Sequence, residues 1–239
     1  MGRLLLIRHA QASFHDQNYD KLSAIGEEQA RRLGQYWVRQ KMAFDQVYSG
    51  PRVRQKDTAR IVAEVYRDAG LPFPEPVVIQ EFDEYQGGAV LEQGLPRLVE
   101  SDGEIRKLHQ AFQNSSNSDQ RLVNFEKMFE MLITKWVDGE IVLPTVESWP
   151  EFCVRVDRGL SQFMSANGRG QQAAVFCSAG LIGVAMRRAF HLSSQDTLRS
   201  TWTVRNCSYS EFLFSKDRFT LSTFNAFPHL EDVSLLTYR

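Results

Sequence analysis

The chain has 239 residues, 43% apolar and 24% charged, and its 28 Lys and Arg against 29 Asp and Glu leave a net charge of −1. That balance argues against a general nucleic-acid binder, which carries a basic excess. With 15 Gly and 8 Pro, collagen-like and disordered chains are excluded. A chain of this length can bury a sizeable core without staples. No apolar run approaches the ~18 residues that span a bilayer. The four-residue apolar stretch after Met1-Gly2-Arg3 is too short for a signal-peptide core, and position 6 is not the Ser or Thr of a myristoylation signal. Cys153, Cys177 and Cys207 are odd in number and widely spaced, which fits buried thiols in a reducing compartment. The five histidines show no metal-ligand spacing. These features predict a soluble cytoplasmic protein with no metal and no membrane or nucleic-acid partner.

In chain order, Arg3 to Ile7 reads as a short strand buried on both faces. Polar residues follow from His9 to Lys21. Ser23 is placed to cap a helix with apolar positions at Ala30, Leu33 and Trp37. Asp45 to Ser49 is a second strand. Gly50-Pro51 starts a helix with the apolar stripe Ala59, Val62, Ala63 and Tyr66, closed by Gly70 and Pro72. Val77 to Phe82 reads as a third strand.

From Glu84 to Glu147 no strand is evident, and Asn114 to Asp119 is a polar break. Phe125, Met128, Phe129, Leu132, Ile133 and Trp136 recur at helical spacing. This stripe suits core packing, or a helical lid within a long insertion. Ser148 and Glu151 form a capping box for a helix through Phe152, Val156, Leu160 and Phe163. Ala173 to Cys177 is a fourth strand and Ala179 to Phe190 an apolar helix. Val204 to Phe214 and Phe219 to Phe224 read as a hairpin around Lys216-Asp217. The rhythm predicts an α/β fold with three α/β/α layers, a mostly parallel sheet and an added antiparallel strand. The chain reads as one domain over 1–239, with 84–147 as a helical lid insertion.

Ligands of open α/β sheets sit beyond the carboxyl ends of the strands. Here those ends carry Arg8-His9, then Ser49 with Arg52 and Arg54, then Glu81, then Ser178. Guanidinium groups grip phosphate oxygens two-pronged, an imidazole can be a covalent nucleophile, and a carboxylic acid can protonate a leaving alkoxide. Asp83 and Glu84 are neighbouring carboxylates that compete with Glu81. Ser178 precedes an apolar helix, so it could cap that helix, contact an anion, or do both.

Leu6-Ile7-Arg8-His9-Ala10-Gln11-Ala12-Ser13 resembles the Arg-His-Gly signature of the histidine phosphatase superfamily, the phosphoglycerate-mutase-like fold. Tyr48 to Ala59 resembles its Ser-Ser-Pro-Leu-x-Arg-x-x-x-Thr-Ala block, and Ile79-Gln80-Glu81 its Leu-x-Glu segment. Asn225 to Leu230 is similar to the end of the core in that family. The resemblance covers roughly 1–83 and 148–232. It implies His9 as phosphoryl acceptor, Glu81 as proton donor, Arg8 and Arg54 as phosphate ligands, and Arg52 in an apolar place. Ala10 replaces the signature Gly, His15 falls where many members place a phosphate-touching Asn, and Ser178 occupies the second catalytic His position. His15 is either a loop residue or a phosphate ligand, and His229 reads as structural.

The implied activity is a cofactor-independent phosphatase of small phosphomonoesters, working through a phosphohistidine on His9 with Ser178 as a phosphate contact. Alternatives are a mutase-type phosphotransferase and a weakly active phosphate-binding protein. A serine hydrolase using Ser178, Asp196 and His229 follows the nucleophile-elbow order, but Phe176 stands where the elbow needs Gly. Cys177 lacks the Cys-x₅-Arg spacing of cysteine phosphatases, since Gly183 stands six residues on.

Overall fold

Leu4, Leu5, Leu6 and Ile7 have no exposed surface. A strand loses both faces only inside a sheet that is covered on both sides. β1 (Gly2–Arg8) occupies such a place, parallel to β4 (Gln172–Cys177) and antiparallel to β5 (Tyr209–Phe214). β2 (Gln46–Ser49) pairs in parallel with β4 and with the two-residue β3 (Val77–Val78), and β6 (Phe219–Ala226) pairs antiparallel with β5. The order is β3-β2-β4-β1-β5-β6, and β5 runs against the other five. The computed structural model describes residues 1–13 and 20–238.

Alternation along the strands sends side chains to two helical layers. Leu5, Ile7, Val47, Ala174 and Phe176 join Ala30, Leu33 and Trp37 of α1 (Ala24–Arg39) and Ala59, Val62 and Tyr66 of α2 (Val53–Asp68) in one buried cluster. On the opposite face, Tyr48 meets Phe163 of α6 (Trp149–Ala166) edge-on with ring centres 5.5 Å apart, and Phe163 meets Phe214 at 5.3 Å. α7 (Ala179–Phe190) packs beside β1 and β6, and α8 (Ser194–Trp202) packs on α7. The result is the three-layer α/β/α fold with a mostly parallel sheet.

Local chemistry sets the helix starts. The Ser23 hydroxyl accepts from the Gly26 N–H at 3.0 Å, as an N-cap should. Gly26 has no substitute, because a Cβ there would stand 2.1 Å from the Gln11 carbonyl oxygen. The Ser148–Glu151 capping box forms, with the Ser148 N–H and hydroxyl both donating to the Glu151 carboxylate. α2 begins at Val53, so Pro51 lies before the helix and not in its first turn.

Two strand expectations are corrected. The third strand stops at Val78, and Gln80–Phe82 forms a 3₁₀ turn. Val77 and Val78 are 52% and 42% exposed on an edge strand, so their apolar character does not report burial. Residues 204–208 precede the strand, because Cys207 takes a left-handed backbone (φ 58°) and bonds its N–H to the Arg8 and His9 carbonyls.

The chain divides into two compact units, Met1–Glu84 with Arg155–Arg239, and Tyr85–Val154. The second unit is built on α3 (Gly87–Ser101), α4 (Gly103–Asn114) and α5 (Ser118–Val137). Asp102 caps α4 and Asn117 caps α5. Met128, Leu132, Ile133 and Trp136 of the aromatic stripe are buried, and Trp136, Trp149 and Tyr85 pack ring on ring. Core packing therefore accounts for these four of the six stripe residues.

His229 is buried, with its ring 6.2 Å from Tyr36 and 6.5 Å from Tyr209. Burial lowers its pKa from 6.5 to about 4, against a weaker opposing pull from the Cys207 backbone. An unfolded chain therefore binds a proton that the fold refuses, and stability falls as pH drops from 6.5 toward 4. By about pH 5 this one residue accounts for roughly 2 kcal/mol. His229→Phe is expected to lose less stability than wild type between about pH 7 and about pH 5. Equal losses in denaturant titrations at the two pH values would contradict this.

Candidate active site

The parallel register brings several chain ends to one rim. Arg8 stands opposite Cys177, and Ser49 opposite Phe176. The ladder continues past the strands, as His9 N–H donates to the Cys177 carbonyl at 2.7 Å and Gly50 N–H to the Phe176 carbonyl at 3.0 Å. His9, Gly50 and Ser178 therefore leave adjacent strands side by side. Ala10 is not in the left-handed region, so its Cβ is tolerated where the signature has Gly. Its N–H donates to the Thr58 hydroxyl at 3.1 Å, tying the His9 turn to α2.

The partners of His9 fix its tautomer. Nδ1 lies 2.8 Å from the Ala10 carbonyl, which only accepts, so Nδ1 carries the hydrogen. Nε2 lies 3.0 Å from the Arg54 Nε–H, which only donates, so Nε2 presents its lone pair. Burial, then the Arg54 and Arg8 charges, hold the imidazole well below its ordinary pKa, with the Ala10 carbonyl opposing. His9 is thus a neutral imidazole with its Nε2 lone pair beside a guanidinium.

Arg54 enters from the first turn of α2 and is almost wholly buried. Its second arm donates to Asp20 at 2.7 Å, and the other Asp20 oxygen accepts the Val53 N–H at 2.8 Å. Asp20 therefore orients Arg54 and satisfies the start of α2. Arg8 donates to the Val204 carbonyl, and its charge reaches His9.

Ser178 does not cap α7 with its side chain. Its oxygen instead accepts from the Gln55 amide at 2.8 Å. The cap comes from Glu84, whose carboxylate accepts the Gly180 N–H at 3.1 Å. Glu81 lies in the 3₁₀ turn, its carboxylate 3.8 Å from Arg158 and its backbone carbonyl held by Arg155 at 2.8 Å. Arg52 pairs with Asp83. His9 and Arg54 are thus in direct contact, and Ser178 lies on the neighbouring strand end. Glu81 has no bond to these three. His15 lies outside the described residues.

The serine-hydrolase constellation is not brought together. Asp196 is bonded to Ser193 and Arg199, His229 packs on Tyr36 and Tyr209, and neither is bonded to Ser178. Burial and the Glu84 charge push the Cys177 thiol far above its ordinary pKa, opposite to what a nucleophilic thiolate needs. Among the described residues no group of three or more His, Cys, Asp or Glu is placed to hold a metal ion. Among the same residues no helix is long and apolar enough to cross a membrane.

Sequence reasoning missed Asp20, Gln55 and Thr58. Asp20 sits in a polar run without local pattern. Gln55 and Thr58 lie one and four residues beyond Arg54, on the helix turns that face the sheet, where a buried polar residue is itself a signal.

The model of the histidine phosphatase superfamily (branch 1) matches residues 4–120 and 120–226. No curated protein matches significantly. An α-ribazole phosphatase from Shigella flexneri shares 18% identity and a TM-score of 0.61 over 94% of this chain and 96% of its own. Phosphoserine phosphatase from Entamoeba histolytica, in complex with 3-phosphoglyceric acid, shares 19% identity and a TM-score of 0.61 over 96% and 100%. A phosphoglycerate mutase from Bacillus anthracis shares 15% identity and a TM-score of 0.59 over 95% and 94%. At these identities the likeness is one of fold. The family match runs from the strand that delivers His9 to the last residue of β6, and the chain belongs to branch 1 of the histidine phosphatase superfamily.

Proposed function

We propose that the protein hydrolyses small phosphomonoesters through a phosphohistidine on His9. One observation carries this reading: the Nε2 lone pair of a neutral, buried imidazole is held beside the Arg54 guanidinium. In the proposed reaction Nε2 attacks phosphorus in line, the N–P bond forms and the P–O bond to the alcohol breaks. Arg8, Arg54 and Ser178 hold the equatorial oxygens, where charge spreads in a loose transition state. The Nδ1–H bond to Ala10 stabilises the positive ring that results. Glu81 gives its proton to the departing alkoxide. Water then attacks the phosphohistidine, returns a proton to Glu81 and releases inorganic phosphate. Likeness in fold to phosphatases of α-ribazole and phosphoserine supports the substrate class. The chain is proposed to form one histidine-phosphatase-like domain over 1–239, with 84–147 as its insertion.

A phosphomonoester panel tests the reading, with phosphoglycerate included. Release of phosphate without isomerisation is expected, whereas isomerised phosphoglycerate with no free phosphate would replace the phosphatase by a mutase. Because the nucleophile is the unprotonated ring, activity falls as pH drops through the His9 pKa. The acid limb should therefore lie below the ordinary value of 6.5; a limb at or above it would contradict the neutral-imidazole scheme. The proton donor is tested separately. Glu81→Gln should slow alkyl phosphates more than aryl phosphates, whose leaving groups need no proton. If Glu84→Gln shows that pattern and Glu81→Gln does not, the acid is Glu84.

A further inference from the structure

Gln55 has no part in the chemistry above, yet it is a fully buried amide beside Arg54. Its two ends are identified by their partners. One end lies 3.0 Å from the Arg52 backbone N–H, which only donates, so that end is Oε1. The end 2.8 Å from the Ser178 oxygen is therefore the NH₂ group. The amide is also wedged in place. A Cβ on Gly50 would stand 2.3 Å from Oε1, so the Gly50 backbone closes the space behind it.

A hydroxyl oxygen that accepts from an amide must turn its own hydrogen elsewhere. Ser178 is 1% exposed, and the bond in which its oxygen accepts from Gln55 is the one side-chain hydrogen bond it makes among the described residues. A buried donor without an acceptor is unfavourable. A phosphoryl oxygen accepts and never donates, so it would complete the pattern. Resting on the phosphohistidine reading, we propose that Gln55 is a positioning residue that fixes Ser178 as a hydrogen-bond donor to the transferring phosphoryl group. The relay runs from the Arg52 N–H to Gln55 Oε1, from Gln55 NH₂ to Ser178 Oγ, and from the Ser178 O–H to phosphate. A serine alone could turn its hydrogen toward either partner; the amide removes that choice before substrate arrives.

A double-mutant cycle tests this with p-nitrophenyl phosphate turnover and orthovanadate inhibition, on wild type, Ser178→Ala, Gln55→Met and the double variant, with the thermal midpoint of each recorded. Ser178→Ala removes one preorganised donor and should lower kcat by ~10²-fold. Gln55→Met should lower kcat by a similar factor with a smaller change in KM. In the Ser178→Ala background Gln55→Met should add no further loss, because there is no hydroxyl left to orient. Orthovanadate affinity should follow the same non-additive pattern. A role confined to holding the start of α2 would instead multiply the two losses, and that result overturns the proposal. Wild-type kcat in Gln55→Met overturns it too. If Gln55→Met does not fold, Gln55→Glu keeps the acceptor for the Arg52 N–H and lacks the donor to Ser178. Its kcat should fall at least as far as that of Ser178→Ala, and wild-type turnover would again overturn the relay. The two readings fail differently: an active enzyme with a multiplicative cycle sinks the Gln55 relay alone, while a wild type that neither turns over nor binds orthovanadate sinks both.

Discussion

His9→Ala is expected to lose at least ~10⁴-fold in kcat, the scale seen when a covalent nucleophile is removed. The loss should be chemical and not structural. The Arg54–Asp20 pair and the Ala10–Thr58 bond do not pass through the imidazole, so the rim keeps its shape without the ring. Inorganic phosphate or orthovanadate should still bind, since both arginines remain. Added imidazole should recover part of the turnover, because it can occupy the vacated space and carry the phosphoryl group to water. Hydrolysis near the wild-type rate in this variant without added imidazole would remove His9 from the chemistry.

Arg54→Gln is expected to cost ~10³-fold in kcat and to change the pH profile as well. The rate falls because one guanidinium no longer meets the charge spreading over the equatorial oxygens. The pH effect comes from linkage. The Arg54 charge is the larger of the two cationic influences that hold His9 below its ordinary pKa. Without it the imidazole takes up its proton at higher pH, so the acid limb of activity should move upward. Asp20, which accepts from Arg54 at 2.7 Å, then lacks that cation, and its negative charge pushes the limb the same way. A large rate loss with an unmoved acid limb would mean that Arg54 binds phosphate without tuning the nucleophile.

Much of this architecture was legible from local pattern. Residues Leu4 to Ile7 announce a doubly covered strand because four consecutive apolar side chains cannot be buried on one face alone. Ser23 and the Ser148–Glu151 pair announce helix starts because their oxygens meet otherwise unpaired N–H groups. Within the helical insertion, α3 and α4 were not legible as separate elements. α3 contains Gly87, Gly88, Gly94 and Pro96, which local rules read as loop. Packing reverses that reading at Gly94, where the missing Cβ lets Leu132 and Ile141 approach to 3.2 Å of its position.

The rim shows the same division. His9, Arg54 and Ser178 lie at strand ends or just beyond them, where linear motifs can be aligned. The groups that prepare them lie elsewhere in sequence. Asp20 meets Arg54 across 34 residues, and Gln55 meets Ser178 across 123. Such partners are chosen by sheet register and helix packing, which no local window contains. The third strand illustrates a different failure. Val77 and Val78 have the composition of a buried strand, but they form an exposed edge, and the chain turns before Glu81.

The phosphoryl group itself is the most direct probe. Mixing enzyme with a phosphomonoester, denaturing at alkaline pH within the first turnovers and mapping the peptides by mass spectrometry should find one phosphoryl group on the His9 imidazole, absent from His9→Ala. Phosphate released at full rate with the label on another residue, or with no phosphoenzyme during a turnover limited by hydrolysis of the intermediate, would contradict a reaction carried by His9.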